Sequence, residues 1–186
     1  MSLQTWQETL ISTATDGATL TAAAAASCIP SAAKLAPNIN WSVGKAFRLT
    51  ASGRISSVIT TPGTARFDVR IGGNVVWDSL AILLDTVAAH TNVPWRLQID
   101  LTCASIGSGS GATLEGSGEF MCEDILGTPA SAPKGSLIAL LPWNTAPGGA
   151  GGGFDSTLQN TWDMFFTQTV ATGSMTLHRY MLEALN

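Results

Sequence analysis

Charged side chains are scarce in this sequence. Only 12% of its 186 residues are Asp, Glu, Lys or Arg, and 45% are hydrophobic, whereas charged residues make up about 25% of an average soluble domain. A monomer of this composition would expose much neutral or apolar surface to water. The composition therefore predicts that other subunits cover part of the surface.

Positive charge is especially sparse in the second half of the chain. The formal net charge is −4, and after Leu97 the only basic residues are Lys134 and Arg179. A surface that binds nucleic acid needs clustered Lys and Arg to displace counterions from the phosphate backbone. The sequence therefore argues against a nucleic acid partner.

Long apolar runs and a targeting signal are also missing. No stretch approaches the roughly eighteen apolar residues of a membrane span. The opening residues, MSLQTWQETLIS, contain no Lys or Arg and so lack the positive segment of a secretory signal. We expect a protein without a membrane partner that is made and assembled in a cytoplasm.

Residues that commonly carry chemistry are few. The cysteines Cys28, Cys103 and Cys122 are odd in number and sparse, which argues against a disulfide framework, and we expect the latter two to be buried thiols. The histidines are His90 and His178 alone, and no serine elbow, zinc-ligand motif or calcium loop is present. The sequence predicts no enzyme activity, no cofactor and no metal site.

Alternation with a period of two dominates what the sequence does contain. From Val93 to Gly107 apolar residues alternate strictly with polar ones, which is the pattern of a half-buried β-strand. Similar alternation recurs over 47–55, 66–71 and 114–122, and Gly72-Gly73-Asn74 is a hairpin signal. About eight such segments without a long helix predict an all-β protein, an antiparallel jelly-roll β-sandwich.

The first forty residues differ from the rest. Residues 1–40 combine the first-strand candidate TWQETLIST with a run of five alanines and two prolines. We expect them to form an N-terminal arm that contacts other subunits or a partner protein more than the core, and the alanine run leaves helix and extended chain both open. Residues 41–186 are expected to form the sandwich. An irregular region from Glu123 to Asp155 interrupts it, with LIALLPW as a candidate strand.

Aromatic residues are the main candidates for contact with a partner. Trp143 lies between Pro142 and Asn144 in the irregular region. We expect core or inter-subunit packing for its ring, and an exposed ring that meets a protein or a sugar is the alternative. Phe165 and Phe166 are adjacent, so only one of them can enter the core of a regular strand. The candidate partner-binding residues are Trp6, Trp143, Phe165, His178 and Tyr180.

Several segments resemble a family of small proteins encoded in tailed-bacteriophage and prophage genomes. They are SCIPSAAKLAPN, VGKAFRLTASGRIS, TTPGTARFDVRIGG, AHTNVPWRLQIDLTCASIGSG, ATLEGSGEF and SMTLHRYMLEALN. The resemblance covers nearly the whole chain. It implies a virion structural protein with a jelly-roll fold, of the decoration, cement or fibre-base type, and it brings no catalytic residues.

Together these features predict a virion protein that acts by association. The leading hypothesis is a homotrimeric decoration or cement protein on the capsid exterior, whose partners are copies of itself and the major capsid protein. The alternative is a tail-tip or fibre module that binds host-surface carbohydrate through exposed aromatics such as Trp143.

Overall fold

Most of the secondary structure in the described part of the chain is β-strand. The computed structural model describes residues 7–34, 39–122, 138–143 and 151–185. Within these ranges the one helical element is a 3-10 turn at Ser31–Ala33, so the predicted all-β class is confirmed. The strands are β1 (Glu8–Thr13), β2 (Ala26–Ser27), β3 (Ala46–Ser57), β4 (Thr64–Ile71), β5 (Asn74–Asp78), β6 (Ile82–Leu83), β7 (His90–Ser105), β8 (Thr113–Cys122), β9 (Ile138–Leu141), β10 (Trp162–Gln168) and β11 (Ser174–Ala184).

The strands form two antiparallel sheets. The six-stranded sheet has the order β1-β11-β3-β7-β8-β9, and the five-stranded sheet has the order β2-β10-β4-β5 with β6 also paired to β4. Every pair of neighbouring strands is antiparallel. Neighbours distant in the chain, such as β1 and β11, give the topology many long-range pairings.

The two sheets pack face to face through aromatic side chains. The ring of Phe67 on β4 lies 5.5 Å from that of Trp95 on β7 and 5.0 Å from that of Phe120 on β8, between centroids. The rings of Phe47 on β3 and Trp162 on β10 are 5.3 Å apart. All five residues are buried, as the alternation predicts for one face of each strand.

The predicted hairpin after β4 is confirmed. Gly72 and Gly73 connect β4 to β5 with φ angles of 58° and 89°. Two successive residues with positive φ are typical of the tight turn whose twist matches antiparallel strands, and glycine adopts this backbone without steric cost. The turn therefore sets the start of the β4–β5 pairing, where Ile71 lies opposite Asn74.

Residues 7–34 contribute a strand to each of the two sheets, which differs from the expected arm. β1 pairs with β11, and β2 pairs with β10 in the other sheet. Ile11, Cys28 and Ile29 are buried in the common core. Between these strands, residues 22–24 of the alanine run form bends, not a helix. In the described residues, the predicted boundary at residue 40 therefore does not separate an arm from the core.

The candidate strand within LIALLPW is present as β9, which pairs with β8 at the edge of the six-stranded sheet. Its outward side chains Ile138 and Leu140 are exposed, whereas Ala139 and Leu141 are buried. The strand widens the sheet next to β7 and β8. It therefore borders the outer face of the six-stranded sheet.

Candidate binding surfaces

The predicted partner-binding residues lie in different places. Trp6 lies outside the described residues. Tyr180 is fully buried in the core, and burial raises the pKa of its hydroxyl, with further contributions from Cys28 and Asp163. The Tyr180 side chain therefore presents no surface to a partner, contrary to the expectation.

Three other candidates keep some exposure but lie apart. Trp143, a candidate for an exposed aromatic, is half-buried and packs against the core, in line with the packing expectation, and it donates its backbone N–H to the carbonyl of Ser79 at 2.8 Å. Phe165 lies on the outer face of the five-stranded sheet, with the guanidinium carbon of Arg70 3.6 Å from its ring centroid. His178 is on β11 of the other sheet. These three side chains do not share one element or one face.

Each histidine lies beside its own carboxylate. His90 Nε2 is 3.1 Å from Asp85 Oδ2, and His178 Nδ1 is 2.7 Å from Asp16 Oδ1. These two pairs belong to separate parts of the fold. The described residues contain no group of three or more His, Cys, Asp or Glu placed to hold a metal ion. The same ranges contain no helix long and apolar enough to cross a membrane.

The cysteines are buried free thiols, as expected for Cys103 and Cys122. Cys103 lies opposite Leu114 in the β7–β8 pairing. Cys28 donates its thiol to the carbonyl of Met164 at 3.0 Å. Burial raises the pKa of Cys28, and the charge of Asp163 raises it further. A thiol held protonated in this way is a poor nucleophile.

The outer face of the five-stranded sheet carries charges that neutralise one another. Phe165 lies among them, beneath Arg70. The carboxylate of Asp68 is nearly buried and pairs with Arg70. The ion pairs of this face are Arg70 with Asp68, Arg66 with Asp78, and Lys34 with Asp163. With each charge matched, this face offers little attraction to a charged ligand.

The outer face of the six-stranded sheet is different, because it forms an open groove of about 500 Å³. We call it the arginine groove. The registers bring its residues together: Ser52 on β3 lies opposite Arg179 on β11 and opposite Arg96 on β7. One row further along, Thr50 lies between Met181 and Gln98. The groove is lined by Arg48, Thr50, Ala51, Ser52, Arg96, Gln98, Arg179, Met181 and Glu183.

The arginines of the groove are not equivalent. Arg48 donates to Asp100 through Nε at 2.7 Å and Nη2 at 3.2 Å, and this hydrogen bonding raises the pKa of Arg48. Arg96 instead contacts Gln98 Oε1 at 3.3 Å, and Arg179 contacts Met181 Sδ at 4.0 Å. Neither Arg96 nor Arg179 has an ion pair with another described residue.

Sequence patterns alone did not identify Arg96 and Arg179. Both occupy outward positions of alternating strands, where a charged residue is ordinarily just solvated. Their proximity depends on the strand order β11-β3-β7, which joins segments distant in the chain. The one feature of the sequence that distinguishes Arg179 is that it is one of only two basic residues after Leu97.

Three exposed aliphatic residues lie in neighbouring loops at one end of the sheets. Val43, Ile106 and Leu158 are 66%, 50% and 61% exposed. Their loops are hydrogen-bonded to one another: Gly44 N–H donates to the Cys103 carbonyl at 2.8 Å, and Ser156 N–H donates to the Gly107 carbonyl at 3.0 Å. We call these three residues the Val43 cluster. At the opposite end of β3 and β7 the exposed aliphatics are Ile59, Leu83 and Val87.

Comparisons with known proteins assign no family to this fold. No protein-family model, no curated protein and no solved structure matches the chain.

Proposed function

We propose that this chain is a structural protein of a tailed-phage virion, a jelly-roll decoration or cement protein on the capsid exterior. It acts by association alone, through contacts with copies of itself and with the major capsid protein. The sequence resemblance motivates the virion role, and the order of the strands is the structural observation that carries the proposal.

The strand order supports a jelly roll. Without β6, β8 and β9, the eight remaining strands have the orders first-eighth-third-sixth and second-seventh-fourth-fifth in the two sheets. These orders arise when a long antiparallel ribbon, with pairs 1·8, 2·7, 3·6 and 4·5, wraps around one core. All four pairs are present as β1·β11, β2·β10, β3·β7 and β4·β5. Double-sheet jelly rolls are common in viral capsid and lectin domains.

The Val43 cluster supports association between subunits. Exposed aliphatic side chains on neighbouring loops are candidates for a subunit contact, because burying apolar area against another chain stabilises the assembly by about 25 cal/mol per Å². The low charge content of the chain points in the same direction. We propose that the Val43 cluster is a contact of the homotrimer.

Light scattering of the purified protein tests the trimer, with an expected mass of about three times 19.3 kDa. The variant V43S/I106S/L158S should dissociate to the monomer mass. The variant I59S/L83S/V87S removes the same kind of side chain at the opposite end, so it should remain trimeric. A monomeric native protein, or two variants that behave alike, would exclude this interface.

Labelled virions test the location. An antibody or gold label on this chain should decorate the capsid in electron micrographs, and purified protein should bind capsids that lack it. Label restricted to the tail would contradict the decoration role.

The alternative function, a tail-tip or fibre module that binds host carbohydrate, now has a different structural basis. Trp143 was the expected sugar-binding residue, but it is half-buried against the core. The arginine groove instead offers an open polar surface on a sheet face. A tail-located label together with glycan binding would favour this alternative.

A further inference from the structure

We propose that the arginine groove binds an acidic saccharide, with Arg96 and Arg179 as the partners of its carboxylate or sulfate group. This inference goes beyond the assembly role and does not depend on it, since a capsid or a tail protein could carry such a site. The proposal rests on the placement of the two arginines, on their lack of ion pairs with described residues, and on the polar groups between them.

The two arginines flank one serine on the same face of the sheet. Arg179 and Arg96 both lie opposite Ser52, one on each neighbouring strand. Residues paired across antiparallel strands point to the same face, and strands are about 4.8 Å apart, so the two Cα atoms are separated by roughly 10 Å. Guanidinium groups on side chains of this length can converge on one ligand above Ser52.

The charge balance of the groove favours an anion. Asp100 already engages Arg48 through both of its oxygens. Glu183 is buried and accepts a hydrogen bond from Gln7. Arg96 and Arg179 are exposed and have only an amide oxygen and a thioether as described partners. A guanidinium prefers a carboxylate or sulfate oxygen to either, because charge-assisted hydrogen bonds are stronger and can be bidentate.

The other residues that line the groove favour a saccharide over a protein or a nucleic acid. Thr50, Ser52 and Gln98 supply hydroxyl and amide groups, which both donate and accept hydrogen bonds as sugar hydroxyls do. Protein interfaces usually rely on buried aromatic or aliphatic anchors, whereas Met181 is the one large apolar side chain in the lining. Nucleic acid binding depends on many phosphate contacts, and the groove lining offers only three cations, Arg48, Arg96 and Arg179.

The binding test is a calorimetric titration of the native protein with a galacturonate tetrasaccharide, its sulfated galactose counterpart and the neutral galactose tetrasaccharide. At least one acidic tetrasaccharide should bind more than about tenfold more tightly than the neutral one. Acetate and sulfate alone should bind far more weakly, because they lack the hydroxyl contacts. Equal binding of neutral and acidic sugars, or binding of the free anions alone, would overturn the proposal.

Three double variants locate the site. R96Q/R179Q removes both charges of the groove and should weaken acidic saccharide binding more than about tenfold. The control K34Q/K45Q removes the same net charge outside the groove lining, with Lys34 paired to Asp163 of the other sheet, and should bind like the native protein. R96K/R179K keeps the charge without the bidentate fork and should bind at an intermediate level. Equal loss in the control would mean that net charge, not the groove, attracts the ligand.

Further readouts separate this proposal from the others. Amide resonances of Thr50, Ser52 and Gln98 should shift on saturation with the saccharide, and thermal unfolding should confirm that all variants are folded. An acidic peptide that binds through Arg96 and Arg179 while the saccharides do not would overturn the saccharide assignment. R96Q/R179Q should still form the trimer, so failure of this site and failure of the assembly role are distinguishable.

Discussion

Phe67 should be one of the most sensitive positions for stability, and Phe165 offers a matched comparison. Phe67 extends from β4 into the core and touches rings from both sheets, those of Trp95, Phe120 and Phe166. Phe165 lies on the paired strand β10 but faces outward beneath Arg70. The same substitution, Phe to Ala, therefore tests which side of the sheet lies in the core.

The expected magnitudes differ clearly. Truncating a fully buried Phe to Ala costs about 3–5 kcal/mol, because transfer free energy is lost and a cavity remains. At Phe67 the value should lie in the upper half of that range, since three ring contacts that contribute about 0.5–1.5 kcal/mol each are lost as well. At Phe165 only a half-buried ring and a cation–π contact of about 0.5–1 kcal/mol are lost. We expect F165A to cost about 1–2 kcal/mol.

Urea denaturation followed by tryptophan fluorescence measures both variants. Domains of this kind are stable by about 5–15 kcal/mol, so F67A should lower the midpoint strongly and could leave a marginal fold. F165A should shift the midpoint little at the same slope m. Equal costs, or a cost for F67A below about 2 kcal/mol, would show that the sheets do not pack through Phe67.

The reactivity of a thiol, the titration of a carboxylate and the loss of the two histidines can also be tested. The thiol of Cys28 should react with a disulfide reagent only after unfolding, because burial raises its pKa and shields it; rapid labelling of the native protein would contradict this. Asp155 accepts hydrogen bonds from Thr157 and from the Gly109 amide, and these bonds lower the pKa of Asp155. The contact should therefore persist as the pH falls below the ordinary Asp pKa, and it should be lost only below the folded pKa. A pH titration of the Gly109 amide resonance should show a midpoint below 3.8, whereas an unshifted midpoint would argue against the contact. Replacing both His90 and His178 by Gln should leave trimer mass and virion incorporation unchanged, whereas a hydrolytic activity abolished by either change would overturn the structural role.

The long strands could be predicted from sequence because one face of each is buried. In β3, β7 and β8 the buried residues follow the predicted alternation almost without exception. The two-residue strands β2 and β6 have no period to detect. Their place depends on pairing with β10 and β4, and sequence patterns do not reveal such partners.

The role of residues 7–34 was harder to predict for a similar reason. The alanine run contains little large apolar surface, which suggested an arm. Burial of Ile11, Cys28 and Ile29 results from their position against β11 and β10. The composition of a segment does not show whether a distant strand has an open edge for it.

The candidate site shows the same limit more sharply. Period-two alternation correctly placed Arg96 on an outward face, but it could not place Arg179 near it. A register shift at Leu177/Arg179 makes Tyr180 face inward and Arg179 outward, and a shift of one residue exchanges the faces of a strand. The position of Arg179 in the groove thus depends on one bulge, which no local sequence pattern predicts.

The pairing of β1 with β11 has a consequence for biosynthesis. Glu8 lies opposite Ala184, and at about 5–20 residues per second a ribosome needs roughly ten to thirty-five seconds to make the chain between them. Throughout that interval β1 lacks its partner, and the core beside Ile11 stays open on the nascent chain. Completion of the six-stranded sheet must therefore be largely post-translational. Crowded polysomes, more than the finished protein, are where this chain is most exposed to aggregation.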